Sequence, residues 1–152
     1  MMDLSNSQEE YLIAMYEIMS EDHKVRVTDI AKKLGITKPS VNKAINNLKE
    51  LGLVNYEKYQ DVEITDIAIE LAKDALKRQD VIYIFLNKIL GVEDKQALED
   101  SMAMKHVVSE ETTIKLNDYI LKTFNLVCNF DVSRDKCKNC IKINKNSVDK
   151  SY

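Results

Sequence analysis

The sequence predicts a mainly α fold with a small β-wing: an N-terminal winged helix-turn-helix followed by an all-helical dimerisation domain. Three observations carry that expectation. One proline and three glycines in 152 residues leave little material for a turn-rich β architecture. Two short amphipathic stretches meet at a glycine-containing turn, the pattern of a helix-turn-helix. An alternating apolar and polar run follows the second stretch at once, as the hairpin of a wing would.

The elements follow in order. In "SQEEYLIAMYEIM", Ser7 stands three residues before Glu10, a capping-box spacing, and Leu12, Met15, Tyr16 and Met19 recur on one helical face. In "VTDIAKKLGITKPSVNKAINNLKELGLV", Thr28 is placed to cap a short helix buried through Ile30, Ala31 and Leu34 and stopped by Gly35. Thr37 is placed to cap the next helix, with Pro39 in its first turn, where a missing N–H does no harm. Val41, Ala44, Ile45 and Leu48 form the buried stripe of that helix, and Gly52 ends it. Leu53 to Glu57 and Val62 to Ile64 alternate as two strands around a turn near Gln60 and Asp61.

A long helix capped by Thr65 is expected to Gln79. Next, "VIYIFLNKIL" (81–90) is apolar on nearly every side, too apolar for one small domain to hide, which points to a dimer seam through Ile82, Phe85, Leu86 and Ile89. Helices over about 95–106 and from the Ser109 cap to about Phe124 complete the prediction. The expected organisation is a DNA-binding domain at 1–72, a helical dimerisation domain at 73–125 and a cysteine-containing, partly disordered basic tail at 126–152.

The formal net charge of −3 hides an asymmetry. Between His23 and Gln60 lie Lys24, Arg26, Lys32, Lys33, Lys38, Lys43, Lys49 and Lys58, against Asp29, Glu50 and Glu57. A local basic patch of that kind is what phosphate contact requires. With Val41, Ile45 and Leu48 turned inward, Thr37, Lys38, Ser40, Lys43 and Asn47 point outward, and these residue types suit base edges and phosphates. Arg26, Pro39, Lys58 and Gln60 join them as expected DNA contacts, and double-stranded DNA is the expected partner. No apolar run reaches the length of a membrane span, so no membrane partner and a cytoplasmic protein are expected. No phosphate-cradling glycine loop or nucleophile–base pattern is visible, which argues against an enzyme.

On "EEYLIAMYEI", "VRVTDIAKKLGITKPSVNKAINNLKELGLVNYEKY" and "KHVVSEE", the chain resembles the diphtheria toxin repressor and manganese transport regulator family of metal-dependent repressors, in its shorter two-domain form. The likeness spans about residues 5–125. It implies a homodimer offering two winged helices to a palindromic operator, with Mn or Fe as co-repressor. The family's wing tip commonly carries arginine and glycine where this chain has Gln60 and Asp61.

Carried over residue by residue, the family's metal positions fall on Glu10, Ile13, Gln79, Tyr83, Leu98, Met102, Lys105 and His106. Glu10, Met102 and His106 retain donor chemistry, while Lys105 replaces a carboxylate. Three readings stay open. Glu10, Met102 and His106 still hold a divalent metal while Lys105 swings away; or Lys105 pairs with Glu10 and acts as the metal's surrogate; or His106 is an ordinary core histidine.

Cys128, Cys137 and Cys140 cluster near the C-terminus, and the last two form a C-x2-C pair. Three thiolates are compatible with zinc completed by a further ligand, with an iron–sulfur cluster, with a redox-switchable dithiol, or with no cofactor at all. The leading expectation is therefore a dimeric transcriptional regulator, most simply a repressor, with a degenerate metal site. A redox, zinc or iron–sulfur sensor acting through the cysteines is the alternative.

Overall fold

The computed structural model describes residues 4–22 and 24–124. Cys128, Cys137 and Cys140, and the tail that carries them, lie outside the described residues, as does His23. The chain runs α1 (Asn6–Asp22), α2 (Val27–Leu34), α3 (Lys38–Glu50), β1 (Val54–Asn55), β2 (Glu63–Ile64), α4 (Asp66–Ile84), α5 (Asp94–Met104) and α6 (Glu110–Thr123). The last turn of α4 widens into a π-helical segment, Phe85–Ile89. The mainly α fold with a two-stranded wing is as the sequence predicts.

Local chemistry explains most boundaries. Gly35 takes the left-handed conformation (φ 65°) that ends α2, letting Ile36 N–H reach back to Ala31 O at 3.0 Å. Thr37 caps α3 by accepting from Ser40 N–H. Thr65 caps α4 and also donates to Leu53 O at 3.0 Å, fastening the wing to the helix that follows it. Lys49 Nζ donates to Tyr56 O at 2.7 Å and fixes the wing from the other side. The strands pair antiparallel, Val54 with Ile64 and Asn55 with Glu63.

Two caps differ from the sequence reading. The capping box of α1 is formed by Ser5 and Gln8: Ser5 N–H donates to Gln8 Oε1 (2.8 Å) and Gln8 N–H to Ser5 Oγ (3.3 Å). Ser7 and Glu10 do not form it, so the Glu10 carboxylate is released for contacts elsewhere. At α2 the capping position is Arg26, with no side-chain cap, and Thr28 lies inside the first turn.

Two apolar clusters hold the chain. The first joins Leu12, Met15, Ile30, Val41, Ile45, Leu48, Leu53 and Val62 to Ala68 and Ala72 of α4. The second gathers Ile82, Leu86 and Ala97, with Tyr83, Val92, Met104, Val108 and Leu116 packed against them. α4 contributes to both and so ties the winged helix to the helical half. Residues 81–90 do not form a separate helix. They finish α4 and the π turn, and part of their apolar surface is already covered: Ile82 is fully buried and Leu86 9 % exposed within one subunit. Ile82 and Leu86 serve the subunit's own core, whereas Phe85 and Ile89 are only half-buried.

Two consequences are measurable. Ile82→Ala is expected to lower unfolding free energy by about 2–5 kcal/mol, read from urea unfolding, because it opens a cavity in the second cluster. The Tyr83 hydroxyl donates to Asp94 at the start of α5, and that bond, with burial and the Asp94 charge, raises the phenol above its ordinary value of 10.0. The raised group favours the fold below about pH 10, and the benefit fades as pH climbs through the folded-state value. Tyr83→Phe is therefore expected to lower thermal stability near neutrality, by less than about 1 kcal/mol, with the gap to the parent closing at strongly alkaline pH.

Candidate DNA interface and the charged junction behind it

The outward face of α3 is built by helical period. Val41, Ile45 and Leu48 are fully buried, so Lys38, Pro39, Ser40, Lys43 and Asn47 are all exposed, with Thr37 exposed at the cap. Among the described residues Lys38 and Lys43 make no ion pair. Thr37 Oγ1 and Ser40 Oγ lie 2.9 Å apart, so these two hydroxyls orient each other at the helix start. Other basic residues of the segment are occupied: Lys33 pairs with Glu17 (3.0 Å), Lys49 holds the wing, and Arg26 faces Asp61 of the wing at 3.6 Å.

The wing tip holds a residue that the sequence reading passed over. Tyr59 is 90 % exposed and has φ 72°, a left-handed conformation that a bulky side chain rarely adopts. Lys58 Nζ lies 5.2 Å from the centre of its ring. Lys58 and Gln60 flank it and are exposed, and Gln60 Nε2 donates to Glu57 Oε2 (3.3 Å), closing the turn. Nothing in alternating polarity marks Tyr59; the signal was a large aromatic in a polar turn.

Behind this face, three elements converge on a cluster of charge. Glu9 and Glu10 project from the first turns of α1, Arg78 and Gln79 from α4, and Lys105 and His106 from the turn after α5. Lys105 Nζ lies 2.8 Å from Glu10 Oε1 and donates to Gln79 Oε1 at 3.0 Å. Arg78 donates to Glu9 Oε2 (2.7 Å) and, through Nε, to Lys105 O (3.3 Å). His106 Nε2 lies 3.0 Å from Glu10 Oε1, which as a carboxylate oxygen can only accept, so the ring proton of that contact sits on Nε2. His106 Nδ1 lies 3.3 Å from Glu9 Oε1, an ion-pair distance without hydrogen-bond alignment.

The helical period explains why Lys105 points inward and Met102 does not. Ala97, Ser101 and Lys105 follow one another at four-residue steps and are buried, whereas Leu98 and Met102 lie on a neighbouring stripe, 45 % and 44 % exposed. Of the three expected ligands, Glu10 and His106 are brought together and Met102 is left outside. Ile13 is buried in α1, and the Tyr83 hydroxyl is engaged by Asp94.

The residues present do not fit a divalent metal. Glu10 Oε1 already receives Lys105 and His106, and Gln79 Oε1 receives Lys105. Glu9 Oε1, Glu10 Oε2 and His106 Nδ1 remain, three donors of the junction where such an ion takes four or more. No group of three His, Cys, Asp or Glu suited to a metal occurs among the described residues. Two cations, Arg78 and Lys105, already balance the two carboxylates. A dication about 4 Å from the ammonium would meet a repulsion of order 8 kcal/mol at an effective dielectric of about 20.

This architecture has close counterparts. Residues 3–62 match the model of the iron dependent repressor N-terminal DNA binding domain, and residues 65–123 that of the iron dependent repressor metal binding and dimerisation domain. The chain belongs to the iron-dependent repressor family. It is similar to an uncharacterised HTH-type transcriptional regulator of Methanocaldococcus jannaschii, 34 % identical over 120 residues that cover 78 % of this chain and 96 % of that one. It is also similar to the transcriptional regulator MntR of Escherichia coli O6:H1, 31 % identical over 104 residues, covering 68 % of this chain and 66 % of MntR. Among solved structures, a hypothetical protein of Sulfolobus solfataricus superposes with a TM-score of 0.64 at 29 % identity, over 78 % of this chain and 91 % of that one. The family is one of transcriptional regulators and not of enzymes.

Arg78→Ala is expected to destabilise the protein by about 1–3 kcal/mol, because it strands a largely buried Glu9 carboxylate and an α5-terminal carbonyl. Arg78→Ala combined with Glu9→Gln is expected to recover part of that loss, and equal loss in single and double variants by chemical unfolding would contradict the pairing.

Proposed function

We propose that this family member is a dimeric, sequence-specific repressor that inserts α3 into the major groove of each half of a palindromic operator. The observation that carries the reading is the composition of the exposed α3 face: Lys38, Ser40, Lys43 and Asn47 stand clear of the fold while Val41, Ile45 and Leu48 lock the helix onto the core. Lysines supply phosphate or guanine contacts, and asparagine matches the adenine edge. The exposed wing residues Lys58, Tyr59 and Gln60 would then reach the flanking backbone. A half-buried Phe85 meets the exposed Tyr119 edge-on at 6.1 Å, and Ile89 and the exposed Leu90 follow in the same turn. These residues supply the apolar material for a symmetric seam.

Selection from random duplexes is expected to return an inverted repeat bound by a dimer. Asn47→Ala is expected to relax preference at one base pair per half-site by about 1–3 kcal/mol. Lys43→Ala, if its partner is a phosphate, weakens all sequences alike and reduces the salt slope by about 1 per subunit. A monomer without sequence preference would contradict the proposal. The Arg26–Asp61 contact makes a further, opposite prediction: Asp61→Asn frees Arg26 and is expected to tighten operator binding up to about fivefold per subunit, the scale of an exposed ion pair, with a steeper salt dependence in mobility-shift titrations.

A further inference from the structure

We propose that the Lys105 ammonium is a built-in cation standing where this family's regulatory domain uses a bound metal, so that the protein keeps its operator-competent shape without a divalent ion. The inference about regulation rests on α3 being the operator-reading helix; the assignment of Lys105 does not.

Lys105 has the bulkiest of the fully buried side chains, at 2 % relative exposure. Its position continues the Ala97–Ser101 stripe, where an apolar side chain would bury at no electrostatic cost. An ammonium survives there because Glu10 of α1 and Gln79 of α4 receive it. Its contacts join the element that opens the winged helix to the elements that form the helical half. A metal ion does the same physical work when donors from several helices converge on it: it holds them together by one buried positive charge.

The neighbouring contacts make the arrangement mutually exclusive with a metal. Arg78 holds Glu9 and the Lys105 carbonyl, so the backbone that carries the ammonium is pinned as well. With a side chain 1 % exposed, Lys105 occupies the space between Glu10 and Gln79 where an ion shared by them would sit. A covalently attached cation cannot be lost to solvent or to a chelator, so the link between the two halves does not depend on ion concentration. A regulator built this way does not report divalent-metal concentration through this junction.

The test uses the full-length purified protein. Operator affinity in chelator and in excess Mn2+ or Fe2+ is expected to agree within about twofold, whereas metal-coupled binding would differ by about 5- to 150-fold. Equilibrium dialysis is expected to show no Mn2+ binding that depends on Glu10. Lys105→Met is expected to lose operator affinity in chelator, and Lys105→Arg to retain part of it, with circular dichroism reporting whether each variant is folded. One Mn2+ bound per parent subunit and lost in Glu10→Gln would overturn the proposal, whether or not Lys105→Met folds. A Mn2+ requirement for operator binding by the parent would overturn it equally. Absence of sequence-specific DNA binding in every condition would refute the repressor reading instead, and the dialysis result would still decide the role of Lys105.

Discussion

The ammonium of Lys105, shared between Glu10 and Gln79, joins parts of the molecule that sequence places far apart. α1 enters the winged-helix core through Leu12 and Met15, yet its first turns lie against the end of α4 and the turn after α5. α4 runs the length of both cores, so its position fixes the winged helix along one line of contact. The charged junction adds a second line. Two separated contacts between the halves resist rotation in a way that one shared helix does not.

Such a junction is costly to bury and is stable only when every member is matched. Arg78 meets Glu9, Lys105 meets Glu10, and His106 bridges both carboxylates. The net stabilisation of buried ion pairs is small, because desolvation offsets most of the attraction. What the arrangement contributes is directional: removing one member leaves a buried charge without a partner, so alternatives to this docking of α1 are penalised. The apolar clusters provide the bulk of the stability, and the charges select one packing of the halves.

Much of the fold was legible because helix periodicity and turn chemistry act locally. Thr37, Thr65 and Ser109 cap their helices as their positions suggest, and Gly35 supplies the left-handed stop. The inward set Val41, Ile45 and Leu48 could be read from a 3.6-residue period alone, and with it the outward face of α3. The misplaced cap of α1 came from a choice between two overlapping Ser-x-x-acceptor spacings, Ser5–Gln8 and Ser7–Glu10, which sequence does not rank. How much of the apolar run at 81–90 is covered within one subunit was not legible in the same way. Its exposure depends on α5 and α6 folding back over it, a tertiary matter that composition cannot report.

The junction itself was half legible. Glu10, Lys105 and His106 could be picked out by position and a Lys105–Glu10 pair was one of three arrangements left open, but the outward turn of Met102 was not legible. That choice is set by where α5 ends and by which of its stripes packs against Ile82 and Leu86, here the one that carries Ala97, so it emerges only with packing. Arg78 and Glu9 were not anticipated, since a charged residue on an amphipathic helix ordinarily reads as solvated surface. The most direct measurement is a crystal structure grown with excess Mn2+, with anomalous differences recorded at the manganese edge. Expected are Lys105 Nζ within hydrogen-bonding distance of Glu10 and Gln79 and no anomalous peak at the junction. A peak between Glu10 and His106, with the Lys105 side chain displaced, would contradict the role given to that ammonium.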